Sequence, residues 1–299
     1  MGIPNLNKLF IEKCSTCINK VNISTLKNKT IVIDTSIYLY KFMGQEKFIE
    51  NFYLMMAIFE FNEITPIFIF DGKPPDEKKA ILKKRKIDKD DAEKKYKELE
   101  INIKDKNISN DEKNEIQSIM DKLKKQFIRI KEEDIKKVKN LISYFGFSYI
   151  EANGEADVLC AHMVINNEAW ACLSDDMDLF VFGCNRVLRY ISLMNHTVIF
   201  YDFDNILINL KINLQDFRIL ISICGTDYNV EQNFNIKVVY NQYKKFIKSG
   251  TDSNFIDWID NKFIQNKDNI IDTSLLFQNN IIDISNIYKN EKNKAYERR

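Results

Sequence analysis

Short apolar runs and amphipathic segments alternate along the first part of the chain. The run TIVIDTS is rich in β-branched residues and predicts a strand that ends at Asp34. Apolar residues at helical spacing follow from about Tyr38 into Phe61, and the run PIFIF then predicts a second strand that ends at Asp71 and Gly72. A strand, a helix and a strand in this order predict a βαβ unit with a right-handed crossover.

The pattern changes between Asp76 and about Lys139, where the chain is charged and nearly free of Gly and Pro. Lysines and glutamates mixed with sparse apolar residues are typical of long, solvated helices. Globular patterning resumes at about Lys136 with an amphipathic helix into Phe145, and strands and helices then alternate as far as a helix at 214–224.

This alternation predicts an α/β fold with a mainly parallel central sheet flanked by helices. We expect residues 1–75 and 136–228 to form the two parts of that core. Residues 76–135 then form a charged helical insertion, and the polar but helical pattern of 229–299 predicts a small C-terminal subdomain with a tail.

Composition adds two limits to this picture. The hydrophobic fraction of 45% is sufficient for a substantial core, and the net charge of +1 gives no global field that would attract nucleic acid. No run approaches the roughly 18 apolar residues of a membrane helix, and the start MGIPNLNKLF lacks the order of a signal peptide. We therefore expect a soluble, intracellular protein without membrane contact.

Histidine and cysteine are poor candidates for a metal site in this chain. There are only two histidines, and the six cysteines contain one close pair, Cys14 and Cys17, with no second pair at zinc spacing. We expect free thiols in a reducing compartment. The chemistry must therefore depend on carboxylates, Lys, Arg and Tyr.

Acidic residues follow the ends of several predicted elements. They are Asp34, Asp71, Glu155, Asp157, Asp176, Asp178 and Asp227. Because ligands bind at the carboxyl ends of parallel strands, we expect these side chains to converge on one edge of the sheet. A single Asp after a strand is more often a turn residue or a helix cap, but that explanation would have to apply at several strand ends independently.

Carboxylates gathered in this way favour a hard cation. Neighbouring negative charges raise one another's pKa values unless cations are present. Ligands that are all oxygen favour Mg²⁺ or Mn²⁺ over zinc. Two such ions about 4 Å apart can stabilise both the attacking and the leaving oxygen at a phosphodiester.

Six segments together carry a family resemblance. MGIPNL, VIDTSIYLY, FDGKPP, GEADVLCAHM, SDDMDLFVFG and ICGTDYN occur in the order and at the spacing found in flap endonucleases and their XPG-type relatives, which the first 230 or so residues resemble. The resemblance implies a PIN-like nuclease core in which the seven acids bind two Mg²⁺ or Mn²⁺ ions. No acid of the set is missing, so we expect an active enzyme. Divergent relatives of this type occur in large DNA viruses.

The resemblance also implies DNA-binding residues. Lys78 and Arg85 correspond to residues at the base of a helical arch, here 76–135, that contact the scissile phosphate. A lysine and a guanidinium there would stabilise charge that develops on the phosphate oxygens. Tyr40 matches an aromatic residue that stacks on the base beside the cut, and Gly2 matches the residue that forms the N-terminus near the site. Read alone, the two basic residues are more typical of a solvated helix face.

The chain departs from the family pattern after Asp227. Relatives carry a helix-two-turn-helix motif with a Gly-rich hairpin that often binds K⁺, whereas NVEQNFNIKVVYNQYKKF contains no glycine, so K⁺ binding is in doubt. Lys237, Lys244 and Lys245 remain candidates for phosphate contacts without sequence preference. The tail, which ends NKAYERR, lacks the glutamine-plus-aromatic motif for the sliding clamp, so we expect no clamp binding and a monomer.

The sequence thus predicts a divalent-metal-dependent, structure-specific 5′ nuclease: a flap endonuclease or 5′→3′ exonuclease that acts in replication, repair or recombination. Its expected partner is DNA with flaps, branches or 5′-ended single-stranded or duplex junctions, in the nucleus or, for a virus, in a cytoplasmic replication factory. The alternatives are a Holliday-junction resolvase, a PIN-type RNase and a non-catalytic DNA-binding scaffold. A phosphatase with Asp34 as nucleophile would need a second Asp at position 36, where Ser36 stands.

Overall fold

The computed structural model describes residues 3–103, 110–259, 261–264 and 266–278. Gly2 and the tail from residue 279 onward, with its clamp-motif region, lie outside the described residues.

The strands form one seven-stranded sheet in the order β1-β7-β6-β5-β2-β3-β4. The strands are β1 (Ile18–Asn22), β2 (Thr30–Asp34), β3 (Thr65–Phe70), β4 (Ser148–Glu151), β5 (Ala171–Leu173), β6 (Arg186–Ser192) and β7 (Thr197–Asp202). The strands from β6 across to β4 pair in parallel, while β7 is antiparallel to both β6 and β1. The predicted mainly parallel sheet is confirmed, with an antiparallel edge in addition.

Helices cover the sheet and form the insertion. They are α1 (Leu6–Lys13), α2 (Thr35–Met43), α3 (Phe48–Phe61), α4 (Lys79–Asn102), α5 (Asn110–Gln126), α6 (Glu132–Tyr144), α7 (Ala156–Ile165), α8 (Asp178–Phe182), α9 (Phe203–Leu210), α10 (Leu214–Cys224), α11 (Ile236–Ser249), α12 (Phe255–Trp258) and α13 (267–278). Short 3₁₀ turns occupy Ser15–Cys17, Ile23–Leu26, Asp76–Lys78 and Asn261–Phe263.

Burial on both faces explains why β2 is an uninterrupted apolar run. Val32 belongs to one buried apolar cluster, whereas Ile31 and Ile33 belong to the other. Successive side chains of a strand point to opposite faces, so a strand covered by helices on both sides needs apolar residues at every position. The first cluster includes side chains from α1, α7, α10 and α11, and the second includes side chains from α2, α3 and α6.

The single helix predicted from Tyr38 into Phe61 is wrong, because the structure has two helices there. α2 ends before Gly44, and Glu46 adopts a left-handed backbone (φ 57°), so the chain turns before α3 begins. Apolar spacing continues across the break because both helices face the same cluster. The Phe42 and Phe52 rings meet edge to face, with centroids 5.0 Å apart.

The charged segment forms two long helices, as predicted. α4 and α5 pack against each other, and the Tyr96 and Phe127 rings meet edge to face with centroids 5.4 Å apart. Arg129 donates to both Asp90 and Glu93 of α4 at 2.8 Å. Arg129, just after α5, thus ties the end of the insertion to α4.

The C-terminal helix α11 buries one side against the core. Tyr240 OH donates to the main-chain oxygen of Leu210 at 3.1 Å, and Tyr243 OH donates to the Asp216 carboxylate at 3.0 Å. Within the described ranges, every helix falls short of the length or the apolar character that crossing a bilayer requires.

Candidate metal centre

The strand order creates a crevice at the carboxyl end of β2. β3 lies on one side of β2 and β5 on the other, so the connections leave in opposite directions at this point. Open sheets bind ligands at such a switch point. Asp34 is the last residue of β2, Asp71 directly follows β3, and Asp176 follows β5. The predicted convergence of these strand ends is therefore present in the fold.

Asp34 lies at the bottom of the crevice and is almost fully buried. Ser174 Oγ donates to Asp34 Oδ2 at 2.8 Å and accepts from the Asp176 main-chain nitrogen at 3.1 Å. Burial raises the pKa of Asp34 to about 8, and the negative charges of Asp71 and Asp176 add to this effect. Asp34 thus lies among like charges, as the strand-end argument predicts.

Asp71 connects the end of β3 to the start of α7. Its Oδ1 accepts from the Ala156 main-chain nitrogen at 2.8 Å, and its Oδ2 accepts from Ser36 Oγ. The Gly72 main-chain nitrogen donates to the Gly154 oxygen at 2.7 Å. These bonds fix the loop that carries the next two acids, because that loop leads directly into α7.

Glu155 and Asp157 stand at the beginning of α7. Glu155 accepts from Lys78 Nζ at 2.7 Å and from Tyr228 OH at 2.9 Å. Burial raises the pKa of Asp157 well above its ordinary value; the charge of Lys78 opposes this rise, and Glu155 and Asp176 reinforce it. Glu155 is therefore paired with cationic and hydroxyl groups, while Asp157 is surrounded by other carboxylates.

Asp176 lies in the loop after β5, and Asp178 is the first residue of α8. The Asp178 main-chain nitrogen donates to Asp176 Oδ1 at 3.2 Å, and the buried Asp178 Oδ1 has no hydrogen-bond partner. Burial raises the pKa of Asp178 well above its ordinary value, as does the charge of Asp176; Lys78 opposes the rise and Asp227 adds to it. Electrostatic interactions of this kind connect all seven predicted acids into one group.

The two predicted basic residues lie against these acids. Lys78 is buried, and its Nζ also stands 4.5 Å from the centroid of the Tyr228 ring. Burial alone would lower the pKa of Lys78, but Asp157, Glu155 and Asp178 raise it above its ordinary value.

Arg85 comes from α4 and meets the last acid of the group. Its Nη2 donates to Asp227 Oδ2 at 2.5 Å. α4 therefore contributes to the acid group directly, through a side chain in its second turn.

The other predicted DNA-binding residues lie at different distances from the acids. Tyr40 is 40% exposed and near the group, since burial and then the charge of Asp71 raise its pKa. Lys89 Nζ stands 4.7 Å from the Tyr40 ring centroid.

The three predicted C-terminal lysines are on α11. Lys237 pairs with Glu12 at 2.6 Å, Lys244 Nζ stands 5.3 Å from the Tyr240 ring centroid, and Lys245 is exposed. No contact recorded among the described residues joins them to the acids. Gly2, the remaining predicted residue, falls outside the described residues.

The donor set fits a hard divalent ion. Every candidate ligand is a carboxylate, and one buried carboxylate oxygen, on Asp178, lacks a partner. The acids do not already stand as a finished ligand shell: in the described part of the chain, no three His, Cys, Asp or Glu side chains are arranged to hold one ion. Lys78 and Arg85 pair with two of the acids, Glu155 and Asp227.

Three further residues of the centre were not identified from the sequence. Ser174 and Ser36 donate to Asp34 and Asp71, and Tyr228 donates to Glu155. Tyr228 directly follows an acid, and Ser174 directly precedes the Asp175–Asp176 pair, so proximity in sequence was the available signal. Nothing in a single sequence distinguishes a hydroxyl that orients a carboxylate from one that faces solvent.

Two family models match the chain. The family model described as the XPG N-terminal domain matches residues 1–92, and the model described as the XPG I-region matches residues 146–227. These ranges contain all seven acids and both basic residues.

Individual relatives match over most of the chain. Flap endonuclease 1 of Methanococcus aeolicus is 30% identical over 227 residues, 70% of this chain and 66% of the relative. A probable RAD2-like endonuclease of Invertebrate iridescent virus 6 is 28% identical over 279 residues, 77% of this chain and 67% of the relative. The chain thus spans about two thirds of the length of these curated relatives.

A solved structure shares the fold. The catalytic core of Rad2 in complex with DNA substrate matches with a TM-score of 0.61 and 22% identity, over 91% of this chain and 79% of that chain. At this identity the match supports the α/β fold with its PIN-like core.

Proposed function

The chain belongs to the XPG family, and from this we propose that it is a divalent-metal-dependent, structure-specific 5′ nuclease that hydrolyses DNA phosphodiesters. One observation supports the proposal above all others: seven carboxylates from distant parts of the chain form a single electrostatic group at the switch point of the sheet. Their mutual repulsion is a cost that a bound cation would offset.

The seven acids are the proposed ligands, for two Mg²⁺ or Mn²⁺ ions. Bound divalent ions supply Lewis-acid chemistry at a phosphate and neutralise charge on the leaving oxygen. The protein holds its acids ready through hydrogen bonds that orient them, from Ser174 to Asp34 and from the Ala156 main chain to Asp71. The fold thus holds close together carboxylates whose like charges would otherwise keep them apart.

Lys78 and Arg85 are the proposed phosphate-binding residues. Each now pairs with one acid of the group, Glu155 and Asp227 respectively, so each stands at the edge of the crevice that a phosphate would enter. A buried lysine whose pKa is raised stays charged at neutral pH and would stabilise negative charge on the phosphate oxygens. The forked guanidinium of Arg85 suits two oxygens of one phosphate.

DNA is the proposed substrate, in the form of a flap, a branch or a 5′-ended junction. The Rad2 structure that shares this fold holds DNA substrate. Tyr40, exposed beside Asp71, would stack on the base next to the cut, and α4 and α5 would form the arch beside the 5′ single strand. The cleavage products would carry 5′-phosphate and 3′-hydroxyl ends.

The proposal is tested by removing one acid. We expect Asp176→Ala to lower cleavage of a labelled 5′ flap in Mg²⁺ by at least about 100-fold. Asp202→Ala is the matched control, because Asp202 also ends a strand but caps α9, with its side chain accepting from Asn205. An Asp176→Ala protein that cut the flap at the normal rate would refute the metal centre.

Substrate class is tested in parallel. Labelled flap, nicked, Holliday-junction and single-stranded RNA substrates are offered to the wild-type protein in Mg²⁺. Preferential cutting of the junction would favour a resolvase, and cutting of RNA alone would favour a PIN-type RNase. Binding without cleavage in both Mg²⁺ and Mn²⁺ would indicate a DNA-binding scaffold.

A further inference from the structure

The loop between β5 and α8, which carries Asp176 and leads into Asp178, is held at its middle by Asp175. The Asp175 carboxylate accepts from Lys41 Nζ at 2.9 Å and from the Tyr190 main-chain nitrogen at 2.7 Å. The Asp175 main-chain oxygen accepts from Arg189 Nη2 at 2.7 Å. None of these groups belongs to the acid set, yet they fix the residue next to Asp176.

Arg189 is the buried member of this network. It is 3% exposed, and its Nη1 donates to Asn7 Oδ1 at 3.1 Å. Tyr201 OH donates to the same oxygen at 2.8 Å. The guanidinium carbon also lies 4.6 Å from the Tyr190 ring centroid and 5.4 Å from that of Tyr201. A buried guanidinium with this many partners has a fixed position and can hold another group in place.

The irregularity in β6 makes the network possible. Arg189 pairs with Ile199 of β7, but the register shifts between Arg189 and Ser192. Tyr190, within the shift, has a left-handed backbone with φ 55°. Its main-chain N–H is therefore released from the ladder to β7 and donates to Asp175 instead. Non-glycine residues rarely adopt this conformation.

We propose that Arg189, anchored by Asn7, is a positioning residue that sets Asp176 and Asp178 at the separation that divalent ions require. The inference rests on the proposed function of these two acids as ligands. The acids repel each other and the rest of the group, so a loop released at Asp175 would move outward. Removal of a residue that orients metal ligands typically lowers the metal affinity by about 10- to 100-fold.

The test measures Mn²⁺ binding to the full chain without DNA, by the loss of the free-ion signal in electron paramagnetic resonance. Arg189→Gln removes the charge and the reach to Asp175, and we expect Mn²⁺ affinity to fall by about 10- to 100-fold. Flap cleavage should require correspondingly more Mg²⁺, while kcat at saturating Mg²⁺ changes less than the half-saturating concentration does.

Arg186→Gln is the matched control. Arg186 lies on the same strand, with Nε donating to the Trp170 main-chain oxygen and Nη2 donating to Asn167 Oδ1 at 3.0 Å. It is at the amino end of β6, away from the acids. The control variant should lose comparable hydrogen bonds and keep Mn²⁺ affinity.

A second variant carries the test if Arg189→Gln does not fold. Asn7→Ala removes the oxygen that receives both Arg189 and Tyr201, and it leaves every charge in place. We expect a smaller loss of Mn²⁺ affinity, about 3- to 10-fold, in the same direction.

Two results would overturn the inference. The first is a folded Arg189→Gln protein, or a folded Asn7→Ala protein in its place, that binds Mn²⁺ with wild-type affinity. The other is an equal loss of affinity in Arg186→Gln, which would mean that weakening β6 anywhere has the same effect. A wild-type chain that bound no Mn²⁺ would instead remove the proposed function itself, and the positioning role with it.

Discussion

Half-buried Glu155 and buried Asp34 show two ways in which the fold accommodates a carboxylate away from solvent. Glu155 is paired with Lys78 and Tyr228, so its charge has direct partners. Asp34 receives a hydrogen bond from Ser174, but its burial and its acidic neighbours raise its pKa to about 8. Carboxylates with ion-pair partners and carboxylates with a raised pKa thus lie side by side, which is typical of a functional site.

Tyr228 contacts both an acidic and a basic residue of the centre. Its hydroxyl donates to Glu155 and its ring lies under Lys78. Burial, followed by the charge of Glu155, raises the pKa of the hydroxyl, so it remains a donor at any pH of interest. We expect Tyr228→Phe to lower the free energy of unfolding by about 1 kcal/mol and flap cleavage by about 10-fold.

Tyr243→Phe is the control for this prediction. Tyr243 OH also donates to a carboxylate, that of Asp216 at 3.0 Å, but it belongs to α11 and not to the acid group. Chemical denaturation and single-turnover flap cleavage are measured on both variants. A similar loss of stability with full activity is expected for Tyr243→Phe; full activity in Tyr228→Phe would contradict a role of the hydroxyl in orienting Glu155.

At the scale of an element, the turn after β3 determines where Asp71 stands. A Cβ on Gly72 would lie 1.9 Å from the Ala152 main-chain oxygen, so only glycine permits β3 and the loop before α7 to approach so closely. We expect Gly72→Ala to destabilise the protein by about 2 to 4 kcal/mol and to abolish detectable flap cleavage, since Asp71 would be displaced with the turn.

Gly154→Ala, in the facing loop before α7, provides the comparison. The Gly154 oxygen accepts from the Gly72 main chain, yet a Cβ on Gly154 would meet nothing within 4 Å. In thermal unfolding, the free energy of unfolding of this variant should differ from that of the wild type by less than about 1 kcal/mol. Flap cleavage should be retained. Equal effects of the two alanines would show that the close approach at Gly72 does not control the position of Asp71.

The helices of the charged insertion allow a test that leaves the acids untouched. Lys94 is exposed in the middle of α4, and proline there removes a helix hydrogen bond at a cost of about 3 kcal/mol. We expect Lys94→Pro to reduce cleavage of a 5′ flap by at least about 10-fold and to leave Mn²⁺ binding unchanged. Lys94→Ala, which keeps the helix, should cleave normally; normal cleavage by Lys94→Pro would contradict a role for the arch.

Among the strands, those that the sequence predicted most clearly are the ones buried on both faces of the sheet. β2 and β3 are continuous apolar runs because helices cover both faces, and the acids at their ends follow from that. β1 was not predicted because its residues INKVN are half-buried or exposed at the edge of the sheet. The break between α2 and α3 was missed because the apolar spacing continues through it.

The interactions within the centre were less accessible to prediction. Ion pairs join Lys78 to Glu155, 77 positions away in the sequence, and Arg85 to Asp227, 142 positions away. The family resemblance assigned both basic residues to a phosphate instead. Arg189 gave no signal, because its role depends on a register shift between β6 and β7 that a single sequence does not encode visibly.

Charge distribution is a property of the whole molecule. The net charge of +1 leaves DNA binding to local contacts, and two of the candidates are Lys244 and Lys245 on the exposed side of α11. Each phosphate neutralised by a lysine releases counterions and makes the association constant steeper in salt, by about 0.9 in the slope of log K against log salt.

We expect Lys244→Ala/Lys245→Ala to weaken the salt dependence of flap DNA binding. The slope of log K against log salt should be shallower than that of the wild type by up to about 1.8. Lys27→Ala/Lys29→Ala is the control, because these lysines precede β2, at the opposite end of the sheet from the acids, where Lys27 pairs with Glu63. Binding is measured by fluorescence anisotropy from low to high KCl in Ca²⁺. Equal slopes in the wild type and the α11 variant would remove Lys244 and Lys245 from the DNA interface, whereas a change confined to that variant would place duplex DNA along α11.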